Sequence, residues 1–168
     1  MRICLIGKAG SGKTTILNYL KDKYGFTGVK IAQPIYDIAH KYFKMQGKDR
    51  ELLQFIGNGF REFRNGEYRD IWINYLFDSL PDEVNVVVDD CRFSNEFDRF
   101  KKLGWVTVAL RCPFNIRIER MSKRDGSVNI ETLKDVSETE MDDFIDNCDY
   151  SINSTSTSLQ VSLLKDKV

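Results

Sequence analysis

The chain has no C-x-x-C pair and no cysteine set beside a histidine. It therefore lacks the spacing of a zinc site or of a disulfide framework. Its four cysteines, Cys4, Cys91, Cys112 and Cys148, lie far apart. They read as small buried hydrophobes in a reducing cytosol. The one histidine, His40, stands beside an apolar helical stripe and reads as a surface or packing residue rather than a catalytic base. Neither sign of charge is in excess, since 25 Lys+Arg balance 25 Asp+Glu. That removes the electrostatic case for a nucleic-acid or membrane surface but leaves room for a locally basic site. No apolar run approaches a membrane span. No leader is expected either, because the first strand begins at residue 3. Repeats, heptads and long linkers are also missing, so residues 1–168 are expected to form a single domain with its own core, in the cytoplasm.

What is present is concentrated near the start. The apolar run Ile3 to Ile6 enters G-K-A-G-S-G-K-T, from Gly7 to Thr14, and an amphipathic helix follows over about 13–24. The pattern is G-x-x-x-x-G-K-[ST], between a strand and a helix as its mechanism requires. Gly7, Gly10 and Gly12 allow a tight turn and close approach of a ligand. Consecutive amides make a nest for phosphate oxygens, and the helix N-terminus adds its dipole. Lys13 supplies a full charge for the outer phosphates, and Thr14 offers a hydroxyl to Mg²⁺. The candidate nucleotide contacts are Gly7, Ala9, Gly10, Ser11, Gly12, Lys13, Thr14 and Thr15. A nucleoside triphosphate with Mg²⁺ is the expected ligand.

Further along, a strand is expected over 26–31 and a helix from Pro34. Residues 48–80 look helical throughout, broken near Gly57–Gly59 and Asn65–Gly66, with Gln54, Arg61, Arg64 and Arg69 beside the breaks. Those arginines suggest an anion site, against the plainer reading of a solvated face. Residues 84–88 read as a buried parallel strand ending in Asp89 and Asp90. A strand-end aspartate downstream of a phosphate loop suits a magnesium site. Ser94 is placed to cap the next helix, and Gly104 to stop it. A strand over 105–110 leads to Arg111, and Pro113 opens a helix with Arg117, Arg120 and Arg124 on one face. Two readings of that row stand: a solvated face paired with Glu119, or a lid that neutralises transferring phosphates. Ser137 is a cap before an acidic stretch, 150–153 a short strand, and a final helix is expected to about Lys167 with Leu159, Leu163 and Leu164 inward.

Strands alternating with helices imply a three-layer α/β fold, a mostly parallel five-stranded sheet with helices on both faces. Right-handed crossovers put the phosphate loop, Asp89, Asp90, Arg92 and Arg111 at one edge. The core would be 1–47 and 81–168, with a helical acceptor insert at 48–80 and an arginine lid at 113–126. No N-K-x-D base-reading element accompanies the loop, as a GTPase needs. Phosphoryl transfer asks a protein for positioning and charge neutralisation, which Lys13, the arginines and Mg²⁺ could supply.

Several separate pieces now resemble the bacteriophage-type deoxynucleoside monophosphate kinases. They are the loop itself, L-L-Q-F-I-G with Arg61 and then Trp72, D-D-C-R-F-S-N-E at 89–96, and S-E at 137–138. The resemblance covers most of the chain, more loosely at 26–50 and 125–136. It implies a P-loop kinase fold and transfer of the ATP γ-phosphate to a deoxynucleoside 5′-monophosphate. It implies that Lys13 and the loop hold ATP, that Thr14 and Asp90 serve the metal, and that Asp90 could instead meet the acceptor sugar. Arg92 would bind the acceptor phosphate with Arg61 or Arg64, Gln54 would line the acceptor site, and Phe93, Trp72 or Phe60 would stack on the base. Arg117, Arg120 and Arg124 would be the catalytic lid. The family often carries a histidine where Asp135 stands here, so no role goes to that position. A homodimer and a viral source, with the host cytoplasm as its location, are further implications. A kinase of another small acceptor, nucleoside or sugar acid, and a non-catalytic nucleotide-binding module are the rival readings.

Overall fold

A computed structural model describes residues 1–80, 85–126, 128, 133 and 139–155, and the backbone of 160–163. In chain order the elements are β1 (Arg2–Ile6), α1 (Lys13–Tyr24), β2 (Thr27–Val29), α2 (Gln33–Phe43), α3 (Arg50–Gly66), α4 (Ile71–Ser79), β3 (Val86–Val88), α5 (Ser94–Lys102), β4 (Val106–Arg111), α6 (Phe114–Asp125), β5 (Tyr150–Asn153) and β6 (Gln160–Leu163). Two short 3-10 turns, Glu140–Asp143 and Ile145–Asn147, precede β5. The chain forms two compact units, Met1–Gly28 with Val84–Val168, and Val29–Glu83. Among the described residues no helix is long and apolar enough to cross a membrane.

The first unit is built on a sheet of order β2-β3-β1-β4-β5-β6. Strand β1 lies parallel to both β3 and β4, and β4 is parallel to β5. The strand order therefore reverses at β1, which opens a crevice beyond its carboxyl end. Residues 7–14 leave the sheet there. Alternate residues of β1, Ile3 and Leu5, join Ile16 and Leu17 of α1 with Phe26, Val87, Leu110 and Ile152 in one buried cluster. Each such side chain contributes about 1.5–3 kcal/mol of burial before entropy is set against it. Cys4, between them, faces the other way, where Cys91 and then Glu96 of α5 lie beside it. There Phe100 meets Trp105 edge-on at 4.8 Å and Phe97 stacks on Phe144 at 4.8 Å.

Local signals explain most boundaries. Gly25 ends α1 at φ 68°, its amide returning to the carbonyls of Leu20 and Lys21. Pro34 sits in the first turn of α2. Three expectations change. Ser94 is the first residue of α5 rather than its cap; Phe93 holds the cap position, and the Glu96 carboxylate accepts the amides of Arg92 and Phe93 at 2.9 and 3.3 Å. Residues 160–163 form β6, antiparallel to β5, where a closing helix was expected. Gln-Val-Ser-Leu alternates polar and apolar, the period of a strand, and the helical stripe had rested on leucines spread beyond it. Leu159, Leu164 and Ser137 lie outside the described residues. The third change belongs to the second unit.

In that unit α2 packs on α3. Asp49 caps α3, its carboxylate accepting the Leu52 amide at 3.0 Å. The helix then runs unbroken through Gly57–Gly59, where a break was expected. Glycine weakens a helix by about 1 kcal/mol, which does not by itself end one. The expected break near Asn65 does occur: Phe63 is extended, and Arg64 and Asn65 take φ 50° and 56°. Trp72, Ile73 and Leu76 are the buried stripe of α4.

Candidate active site

The phosphate loop is held by its backbone. Gly10 and Gly12 adopt φ +80° and +93°, which side-chain-bearing residues rarely do. A Cβ on Gly10 would also lie 2.7 Å from the Arg117 carbonyl oxygen in α6, and one on Gly7 would lie 2.8 Å from the Leu110 carbonyl oxygen of β4. The loop is thus clamped between β4 and α6. Gly12 precedes α1, and no side chain caps that first turn. Its amides are the kind of donors an anion takes. Lys13 Nζ donates to the carbonyls of Gly7 and Lys8, at 3.2 Å for the latter. Thr14 and Thr15 begin the exposed face of α1, while Ser11 is buried.

The strand-end carboxylate of Asp89 reaches this loop. Thr14 Oγ1 donates to Asp89 Oδ2 at 3.1 Å, and Asp89 is only 4% exposed. The sequence reading had placed Asp90 with Thr14. One position matters here because successive residues leaving a strand point in opposite directions. Hydroxyl and carboxylate oxygens beside a phosphate nest are the hard donor set that Mg²⁺ takes together with phosphate oxygens. The two residues fit such an ion, and among the described residues no cluster of three His, Cys, Asp or Glu forms a metal cage of its own. Just beyond Asp89, the turn carrying Asp90 and Arg92 is locked by Glu96, 2% exposed, through the two amide hydrogen bonds already given. Ser94 ties the same turn to Glu140, its hydroxyl donating at 2.6 Å.

The arginine row of α6 divides. Arg117 is buried, and its Nη1 donates to the Ala9 carbonyl at 3.2 Å. Arg120 Nη2 donates to the Ser154 carbonyl at 2.6 Å, while Nη1 reaches Cys112 Sγ and lies 4.0 Å from where a Cβ on Gly12 would be. Arg124 pairs with Asp125 through two bonds of 2.7 Å at the exposed end. Arg117 and Arg120 thus brace the loop, whatever charge they also bring.

Sequence reasoning missed Ser154. It is 5% exposed; its hydroxyl donates to the Ser11 carbonyl at 2.7 Å, its amide to the Arg111 carbonyl at 2.9 Å, and its carbonyl receives Arg120. One residue after β5 therefore joins phosphate loop, β4 and α6. Its only sequence signal was its place after a strand end. Lys8 pairs with Asp142 at 2.6 Å. The two line a cavity of about 250 Å³ with Leu110, Arg111, Cys112, Arg117 and Ile145. Burial pushes the Cys91 thiol well up and the Cys148 thiol up to about 12.

The remaining acceptor candidates lie in the second unit. Gln54, Gly57 and Arg61 follow one stripe of α3. Trp72 is buried, and its indole N–H donates to the Gly57 carbonyl at 3.1 Å. Phe60 packs edge-on against Trp72 at 5.3 Å and stays 45% exposed. Of the three rings considered for stacking, Phe60 is exposed, while Trp72 and Phe93 are buried. Arg64, at the kink, lies over the Phe63 ring and 3.9 Å from Glu67.

A strand, a glycine nest, an uncapped helix start and a hydroxyl–carboxylate pair define a P-loop protein. The chain belongs to the AAA domain family, whose profile matches residues 3–142. It is similar to a protein of Acanthamoeba polyphaga mimivirus provisionally named a deoxynucleotide monophosphate kinase, with 27% identity over 143 aligned residues, covering 66% of this chain and 74% of that one. In fold it resembles shikimate kinase from Bacteroides thetaiotaomicron, at TM-score 0.59 and 19% identity over 92% of this chain and 86% of that one. It also resembles a gluconokinase from Sinorhizobium meliloti, at TM-score 0.52 and 18% identity over 84% and 73%. These likenesses bear out the α/β P-loop kinase fold expected from the sequence.

Proposed function

We propose that this chain transfers the γ-phosphate of ATP to a deoxynucleoside 5′-monophosphate, giving the diphosphate and ADP. The observation that carries the proposal is one locked turn. Asp89 meets Thr14 at the phosphate loop, and Arg92 follows three residues later on backbone that Glu96 holds in place. A cation fixed at that distance in sequence from the metal-side carboxylate suits an anionic acceptor. The name given to the mimivirus relative supports the same acceptor.

In this reading the loop amides and Lys13 bind the ATP phosphates, and Lys13 follows the charge that moves with the γ-phosphate. Thr14 and Asp89 would hold Mg²⁺, which when bound supplies positive charge to the phosphate oxygens. Arg92 orients the acceptor phosphate; in the second unit, Arg61 or Arg64 is a separate candidate for a phosphate contact. A bidentate arginine contact gives direction as well as charge. Phe60 offers a ring to the base. Arg120, beside the loop, adds positive charge as the phosphoryl group passes. With no nucleophile required of the protein, orientation and electrostatics supply the acceleration.

The test is ADP release from Mg·ATP against deoxynucleoside and ribonucleoside monophosphates, nucleosides, gluconate and shikimate. Turnover with a deoxynucleoside monophosphate is expected. Turnover confined to a nucleoside or sugar acid would move the acceptor and keep the fold argument. ATP binding with silence across the panel would favour a non-catalytic module.

A further inference from the structure

Gly57 is a costly choice at its position. It lies inside α3, buried, and its φ is not in the left-handed region, so its backbone does not call for glycine. Alanine would favour the helix more. The space around it gives the reason. A Cβ there would lie 3.2 Å from Arg61 Nη1 and 3.2 Å from Ile35 Cδ1 of α2. The Gly57 carbonyl meanwhile receives the Trp72 indole N–H. The Arg61 guanidinium therefore lies back along the helix, over the spot where a side chain would begin. Two residues on, Gly59 has nothing within 4 Å of its would-be Cβ. The same helix thus carries one glycine with a steric reason and one without.

We infer that Gly57 is a positioning residue for acceptor recognition: its missing side chain is the seat that sets where the Arg61 guanidinium stands. The inference rests on the reading of Arg61 as a ligand of the acceptor's phosphate. A methyl group at 57 displaces Nη1 by a few tenths of an ångström or more, about the tolerance within which a binding geometry must be held. Ile35 closes the other side of the seat. The alanine is expected to help the helix and harm the acceptor site at once, a pairing that a merely structural residue would not show.

The experiment compares Gly57→Ala, Gly59→Ala, Arg61→Ala and the Gly57→Ala/Arg61→Ala double variant. Each is assayed with the four deoxynucleoside 5′-monophosphates as acceptors, beside thermal melts. Gly57→Ala is expected to raise the acceptor KM roughly tenfold, as loss of a well-aimed charged contact does, with the ATP KM unchanged and no drop in Tm. Gly59→Ala should raise Tm and leave both KM values alone. The double variant should be no worse than Arg61→Ala. If Arg61→Ala raises the acceptor KM but Gly57→Ala does not, the seat is wrong and the acceptor reading stands. If the two effects add, Gly57 acts through something other than Arg61 and the inference is overturned. If Arg61→Ala leaves the acceptor KM untouched, or none of the four acceptors is turned over, the reading of Arg61 fails and the inference falls with it.

Discussion

In the phosphate loop, Gly10 and Gly12 sit at φ +80° and +93°, whereas Gly57 of α3 lies in ordinary helix. All three are glycines at a proposed binding surface, and their reasons differ. The loop needs the backbone conformation itself, and Gly10 also has backbone oxygen of α6 against it. Backbone cannot yield by changing rotamer. Gly57 instead has the ends of two flexible side chains against it. The first unit builds its site from main chain, fixed by neighbouring strand and helix. In the second, the proposed acceptor residues are side chains displayed on helices. Recognition of a phosphate chain, the same in every nucleotide, suits the first construction. Discrimination among acceptors, which rests on a few contacts, suits the second.

The largest effect should come from the one side chain on which the main-chain site depends. Lys13→Ala is expected to lower kcat by roughly a hundred- to a thousandfold, for every acceptor alike, since it removes preorganised charge at the transferring phosphate. Circular dichroism should show the fold unchanged. Turnover near normal would break the comparison at its first term. Next, Arg92→Ala tests whether acceptor recognition is confined to the helical unit. Its loss should raise the monophosphate KM by about ten- to a hundredfold, and the ATP KM far less. Equal effects on both substrates would place Arg92 on the donor side. Gly10→Ala should act on stability as well as binding. A side chain in the left-handed region costs about 1–3 kcal/mol, read from urea unfolding, and ATP affinity should fall with it. An unaltered melt would mean that α6 yields and that the clamp is soft.

The contrast also explains what could be read from the chain alone. The phosphate loop is one contiguous motif, and a contiguous motif carries its geometry with it, so residues 7–15 were legible. Five of the six strands were legible because β-branched runs alternated with amphipathic helices; β6 was not, since a helical stripe of leucines was expected there. Asp89 against Asp90 was not, because the choice depends on which way the chain turns after Val88. Arg117, Arg120 and Arg124 do share a face, but that face passes over the loop, the end of β5 and solvent in turn. Three arginines equivalent by spacing therefore meet three different surroundings. Base stacking by Trp72 was an implication of the resemblance, and its burial depends on α4 packing. Ser154 was invisible for a plainer reason: its bond to Ser11 spans 143 positions and exists only because β5 lies beside β4.

The smallest expected effect concerns how the main-chain construction is fastened far from the loop. Asp149, just before β5, accepts both the amide and the hydroxyl of Thr107 at 2.8 Å, pairs with Lys101, and donates its own amide to the Thr107 hydroxyl at 3.0 Å. Burial pushes its carboxyl up, but the bonds from Lys101 and Thr107 outweigh that and hold it below its ordinary value of 3.8. A carboxylate with a lowered folded pKa adds stability that is complete above the ordinary pKa and is lost as pH falls through the folded one. The loss here therefore belongs to the range below pH 3.8. Asp149→Asn keeps an oxygen for Thr107 and discards the charge. Its urea midpoint should lie slightly below that of the unaltered chain at neutral pH, and the gap should close in acid. The gap stays small because the pair is partly exposed and screened. A gap constant with pH would mean that the bonds to Thr107, not the charge, hold β4 to β5. The sheet that positions the phosphate loop would then rest on neutral hydrogen bonds alone.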